Sequence, residues 1–328
     1  MRVGILALSG SMKSAVAGLS DMFWLANQVI AQRPESQQYP PFVATIITAD
    51  GKPVLDAQGR VIEAEGDFAR CGALDVAIAS GMKLDAYKQP VSLQAVQDAG
   101  KWMCEQYRQG ATLAGACAGG LVLAEAGILN GRACTTTWWL YHTFRQRYPL
   151  ARPVWGKALV LDERVMTSGG PLSWVDTALQ VVSLHAGKTV ARLTADMAVA
   201  DSQPLSQQLY APAGFLNSLH PLIMKAEHLV RYENPGITVE QLAQALNVTT
   251  RTLHRKMVEE VNESPKSFLT RIRIEMAMRL LEQPAKAISH VARECGYADD
   301  TVFRRAFISV AGMSPGQYRK WIAERQAL

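Results

Sequence analysis

The chain has 328 residues, of which 48% are hydrophobic and 19% charged, a balance too apolar for intrinsic disorder and long enough for about two domains. Its five cysteines and six histidines show no C-x-x-C or Cys/His ligand spacing, so no metal, no other cofactor and no disulfide framework is expected. Charge, Gly or Pro interrupts every apolar run well short of ~18 residues, and the N-terminal stretch MRVGILALSGSMK lacks a signal pattern, so the expectation is a cytoplasmic protein with no membrane partner.

From the start to about residue 187, short apolar runs alternate with segments of helical spacing. Residues 3–8, 42–48, 75–80, 112–116 and 164–168 read as buried strands. Residues 16–31, 93–108, 120–126, 140–147 and 174–185 read as helices. That alternation predicts an α/β domain with a parallel sheet and helices on both faces. Residues 54–68, around Gln58-Gly59, read as a hairpin or an edge excursion.

The stretch ATLAGACAGGLVLAEAGILNGR carries the most chemistry in this half. A strand ends at Ala116, Cys117 sits on the turn, and Ala118-Gly119-Gly120 open a helix. Small residues on both sides permit a tight turn that projects the thiol outward, as in a nucleophile elbow, and a helix N-terminus beside it lowers a thiol pKa. The bland alternative is a small cysteine buried at a strand end.

With "SDMFWLAN" and "MTSGGPLSWVDTAL", this stretch makes the first half resemble the glutamine-amidotransferase-like ThiJ/PfpI superfamily. The resemblance implies a flavodoxin-like sheet and a pocket at the strand ends, built from Ser9, Gly10, Ser80, Gly81, Cys117, Ala118, Thr137, Trp138 and Ser168 to Gly170, Gly169 among them. Amides at Gly81 and Ala118 suit a carboxylate or carbonyl oxygen, and Trp138 can close over an apolar or cationic group. Where the family commonly reads Thr-Thr-His-Trp, this chain has Thr135-Thr136-Thr137-Trp138, so Thr137 replaces the histidine. Superfamily enzymes also place a Glu shortly after the first strand, but residues 11–17 contain no carboxylate. A hydroxyl is no general base near neutral pH. No catalytic residue is therefore assigned, with Cys117 an inactive elbow in a pocket for a small metabolite such as an amino acid or amine. Superfamily members also commonly pair, so a homodimer through this domain is expected.

Residues 191–216 lose the α/β rhythm and read as a linker, which puts the domains at 1–190 and 217–328. Beyond it every segment is helical: 220–232, 239–246, 250–261, 264–281, 287–295, 299–309 and 315–325. Two of these pairs follow one plan, a short helix, a tight turn and a second helix, in VEQLAQALNVTTRTLHRKM and AISHVARECGYADDTVFRRAF. Thr249 and Asp299 are placed to cap the second helices. With Leu253 and Met257 inward, Arg251, Thr252, His254, Arg255 and Lys256 lie outward. With Val302, Phe303, Ala306 and Phe307 packed, Asp300, Thr301, Arg304 and Arg305 lie outward. Arginine's fork matches guanine O6 and N7 in the major groove, whereas Lys256 and helix-end amides grip phosphates.

With "RTLHRKM", "ESPKSFLTRIRIEMAMRLL", "ISHVARECGYADDTVFRRAF" and "GMSPGQYRK", residues 237–320 resemble the DNA-binding domain of AraC/XylS-type regulators, and the two domains together resemble the GlxA-type group. That resemblance implies an all-α domain with two helix-turn-helix motifs. Their recognition helices would enter successive major-groove segments of promoter DNA about 10 bp apart, with RNA polymerase a further partner. Charge points the same way. Residues 218–328 carry 16 Lys and Arg against 12 Asp and Glu, while residues 1–217 carry 18 against 17. The expected function is a metabolite-responsive, sequence-specific transcription regulator. The alternatives are a cysteine-dependent amidohydrolase or glyoxalase-like enzyme, and a redox sensor acting through Cys117.

Overall fold

Apolar runs four or five residues long, flanked by turn formers, give the central strands of the first half their burial on both faces. In the computed structural model, which describes every residue except 37, 202–203, 212–219, 283–285 and 327–328, the chain divides into two compact units, Met1–Gln207 and Gln208–Leu328. In the first unit the elements run β1 (Arg2–Leu6), α1 (Lys13–Gln32), β2 (Val43–Thr48), β3 (Val54–Leu55), β4 (Val61–Ile62), β5 (Gly66–Asp67) and β6 (Val76–Ala79). There follow α2 (Leu93–Arg108), β7 (Thr112–Ala116), α3 (Gly120–Glu125), β8 (Ala133–Cys134), α4 (Tyr141–Arg147), β9 (Arg152–Pro153), β10 (Leu159–Asp162), β11 (Val165–Ser168) and α5 (Trp174–Ala198).

The main sheet has the order β10-β11-β7-β6-β1-β2-β5, parallel except where β10 pairs with β11. Its five principal strands, counted along the chain, lie in the order 2-1-3-4-5, which is flavodoxin-like. Side chains alternate across it. Val3 and Ile5 pack with α1 and α5, while Leu6 and Leu113 pack with α2 and α3 on the other face. Fully buried Leu19 and Phe23 fix α1 to the sheet, each worth roughly 1.5–3 kcal/mol. The residues at 54–68 form the short β3–β4 hairpin and the edge strand β5.

The expected linker does not begin at residue 191. Helix α5 continues past a kink at Gly187 (φ 85°) to Ala198, and Val190, Ala191 and Ala195 enter the same core as α1. The unit then holds the chain as far as Gln207. Residues 202–203 and 212–216 of the expected linker lie outside the described residues.

The second unit is helical: α6 (Pro221–His228), continued by a π turn at Leu229–Glu233, then α7 (Val239–Ala245), α8 (Thr250–Val261), α9 (Pro265–Leu281), α10 (Ile288–Glu294), α11 (Asp300–Ala311) and α12 (Pro315–Gln326). A repeat of fifty residues organises it. Leu253, Met257 and Val261 are buried on α8 as Phe303, Phe307 and Ala311 are on α11. Left-handed residues close both helices, Asn262 and Gly312, and Ser264 and Ser314 stand before the prolines that open α9 and α12. Helix α9 serves two cores, with Phe268, Leu269 and Ile272 in the first and Ile274, Ala277, Met278 and Leu281 in the second. A buried ion network secures its middle. Arg271 bonds Glu263 and Glu275, and Arg231 bonds Glu227 and Glu275. Burial opposes charge on Arg271, but the carboxylates of Glu263 and Glu275 overcome that and hold its pKa above the usual guanidinium value.

Candidate functional site

Two places bring the candidate residues together. In the second unit each motif turns on one left-handed residue, Asn247 (φ 54°) in the first and Gly296 (φ 81°) in the second. Both second helices are capped by their own side chains. Thr249 Oγ1 accepts from the amide of Thr252 at 3.1 Å, and an Asp299 carboxylate oxygen accepts from the amide of Val302 at 2.8 Å. The backbone amides of Val302 and Thr301 hold the Asp299 carboxyl below its ordinary pKa. Asp299 is thus engaged as a cap.

Seven of the nine residues expected outward are exposed. Arg251, His254 and Arg255 are exposed on α8, as are Asp300, Thr301, Arg304 and Arg305 on α11, while Thr252 and Lys256 are half-buried. Arg255 is held by Glu259 one turn on, at 2.9 Å, and Lys256 approaches the same carboxylate at 3.4 Å. One expectation needs correction. Val302 does not pack; it is 47% exposed, because the buried stripe of α11 runs through Phe303, Phe307 and Ala311, at spacings of four. The outward face of α11 therefore pairs cations with a β-branched apolar side chain.

In the first unit the strand-end residues fall into two groups. Beside the switch point between β1 and β6, Gly10 adopts φ 89° and its carbonyl accepts from the amide of Lys83 at 2.7 Å. Ser9 next to it is exposed. Ser80 is buried, its hydroxyl 3.2 Å from the carbonyl of Leu6 and 3.4 Å from Ser11 Oγ. A Cβ at Gly81 would stand 3.4 Å from Cys117 Cβ. Cys117, at φ 54°, occupies the strained turn that the elbow reading requires. Close approach explains the small residues after it: a Cβ on Gly119 would lie 2.1 Å from the carbonyl oxygen of Ala79.

The thiol differs from expectation. Cys117 is only 5% exposed. Burial pushes its pKa up to about 11, against the opposing pull of the Ala118 and Gly170 amides. The helix meant to favour the thiolate is weak, since a 3₁₀ turn at Cys117–Gly119 precedes an α3 of six residues. Desolvation prevails over the dipole, and the side chain is a thiol at neutral pH.

The second group lies around Thr137, Trp138 and Gly169. The Thr137 hydroxyl is buried and has no hydrogen-bond partner among the described residues. Trp138 is half-buried and its amide donates to Gln207 Oε1 at 2.8 Å. Gln207 Nε2 donates to the carbonyls of Thr136 (2.9 Å) and Lys157 (2.8 Å), and it fills the space where Gly169 would carry a Cβ. Gly170, whose amide faces the Cys117 sulfur, follows Gly169 and joins the two groups. His142 is exposed on α4, and the first turn of α1 holds no acid.

Sequence reasoning missed Gln207 and Ser11. Ser11 Oγ accepts from the amide of Leu8 at 2.9 Å and so shapes the loop after β1. Gln207 stands in a stretch with a proline and several glutamines, and no local pattern signals that its partners are main-chain groups 50 to 71 residues away.

Residues 242–320 match the helix-turn-helix domain family and residues 46–184 the DJ-1/PfpI family. The chain is 27% identical to the HTH-type transcriptional regulator CdhR of Pseudomonas aeruginosa over 279 residues, 84% of this chain and 80% of that protein. To the HTH-type transcriptional regulator GlxA of Rhizobium meliloti it is 26% identical over 216 residues, 65% of this chain and 66% of that protein. The crystal structure of an AraC family transcriptional regulator from Pseudomonas putida shares its fold, with a TM-score of 0.50 and 20% identity over 60% of this chain and 98% of that one.

Proposed function

We propose that this chain, a transcription regulator joining a DJ-1/PfpI domain to an AraC-type helix-turn-helix domain, reads one asymmetric stretch of promoter DNA with α8 and α11 together. The observation that carries this reading is the matched pair of exposed faces, Arg251, His254 and Arg255 on one helix and Thr301, Arg304 and Arg305 on the other. Arg251, Arg255, Arg304 and Arg305 supply base contacts in the major groove, and Lys256 and the capped helix ends grip phosphates. Asp300 partners the helix dipole of α11 or accepts from cytosine N4. RNA polymerase, and a second copy of the chain through the N-terminal domain, complete the expected assembly.

The first unit is a sensor in this reading. The lone Thr137 hydroxyl and the amides of Ala118 and Gly170 supply polar groups for a small amino acid or amine, with Trp138 at the rim. Catalysis and redox sensing through Cys117 are disfavoured by one fact, since both need a thiolate and burial disfavours it. A gel-shift of the full chain against promoter and random DNA tests the first claim; equal affinity for the two defeats it. A thermal-shift screen of amino acids and amines tests the second, because a ligand of the native state raises the transition temperature. Turnover lost in Cys117→Ala, or selective oxidation of Cys117 by mild peroxide, would overturn the inactive-pocket reading.

A further inference from the structure

Arg273 sits at the seam of the second unit. Its neighbours on α9 divide between the two cores, Ile272 with the first motif and Ile274 with the second. Its own side chain spans both motifs off the axis of that helix. Nε donates to the carbonyl of Pro235 at 2.5 Å and Nη2 to the carbonyl of Ile237 at 2.6 Å, in the loop that leads into α7. The guanidinium carbon stands 5.8 Å from the centroid of the Tyr297 ring, which follows the turn of the second motif. At that turn the two main chains touch. A Cβ on Gly296 would lie 2.5 Å from the carbonyl of Pro235 and 2.6 Å from the amide nitrogen of Gly236.

Two bodies mounted on one rod can twist about it, and a second contact off the rod removes that freedom. Here α9 is the rod, and Arg273 with Gly296 makes the second contact. A planar fork satisfying two carbonyls at once, beside an aromatic ring, is a role that lysine's single ammonium does not reproduce.

We infer that Arg273 is a positioning residue that locks α8 and α11 at one separation and angle, so that the domain accepts a single spacing between its two contacted DNA segments. This rests on the DNA-reading function above. Arg273 need touch no nucleotide for it; without the clamp each motif would still bind its own segment, but the pair would tolerate a changed interval.

The test uses the full chain and a duplex enriched from random-sequence DNA by the unaltered protein. Variants of that duplex carry one base pair inserted or deleted between the two contacted segments, which moves one segment by about 3.4 Å along the axis and turns it by roughly a tenth of a turn. The unaltered chain should lose at least about tenfold in affinity on either altered duplex. R273A should bind the original duplex about tenfold more weakly and lose less than about threefold further when the spacing changes. R273K, which keeps the charge but not the fork, should fall between them, and it carries the test should R273A fail to fold by circular dichroism. A spacing penalty in the folded variants equal to that of the unaltered chain overturns the clamp while leaving DNA reading intact. Failure of the unaltered chain to enrich any sequence overturns the DNA-reading function, and the clamp with it.

Discussion

The strand-end residues of the first unit and the helix faces of the second treat their candidate side chains in opposite ways. Cys117, Thr137 and Ser80 are withdrawn from solvent, whereas Arg251, Arg255, Arg304 and Arg305 stand in it. Burial decides the chemistry in the first case: it keeps the thiol protonated and makes a single unpaired hydroxyl significant. In the second, the packed stripe only carries cations outward, where Arg255 meets Glu259 in an exposed pair. The candidate groups of one region are enclosed, those of the other presented.

The sharpest contrast comes from comparing losses of stability with losses of binding. Gln207→Ala removes three hydrogen bonds, to the Trp138 amide and the carbonyls of Thr136 and Lys157, so the first unit should lose about 3 kcal/mol in urea unfolding. Affinity of the separate helical faces for DNA should not depend on it. Conversely, Arg304→Ala or Arg255→Ala should cost about 1–3 kcal/mol of specific DNA affinity by gel-shift while leaving the unfolding midpoint unchanged. Arg255 gives up only an exposed pair with Glu259, which is worth little. A large stability loss in either arginine variant would break the contrast.

A smaller effect refines the first region. Burial, with help from Asp201, raises the carboxyl of Asp176 to about 6 from an ordinary value near 3.8. The native state therefore gains most from the protonated acid, with the full contribution below about pH 4 and progressive loss as pH rises through about 6. Asp176→Asn should flatten the pH dependence of the melting temperature between pH 4 and 6 by the equivalent of about 1–2 kcal/mol. Unchanged dependence in that variant would assign the effect elsewhere. The smallest effect belongs to the second region, where Asp299→Ala removes the cap of α11 and should cost about 1 kcal/mol by thermal melting.

Much of this contrast was legible in the chain itself. The principal strands were visible because each is a short apolar run, and all but β2 are buried on both faces. The helix pair was visible because Leu253 and Met257 recur as Phe303 and Phe307 fifty residues on. The two-residue strands β8 and β9 were not, since pairing over two residues depends on a partner rather than on pattern. The end of α5 hid because Gly187 interrupts the periodicity, and small residues such as Ala191 and Ala195 pack as well as large ones. The state of Cys117 hid for a different reason: a sequence shows a helix start beside a thiol, but not the walls that exclude water from it.

The hold on Gln207 also says where this molecule can be severed. A fragment stopped at residue 190 would end inside α5, strip Ala191 and Ala195 from the core shared with α1, and remove the side chain that bonds the Thr136 and Lys157 carbonyls and the Trp138 amide. A fragment stopped after Gln207 would retain them all, and is the cut at which the two halves can be tried apart.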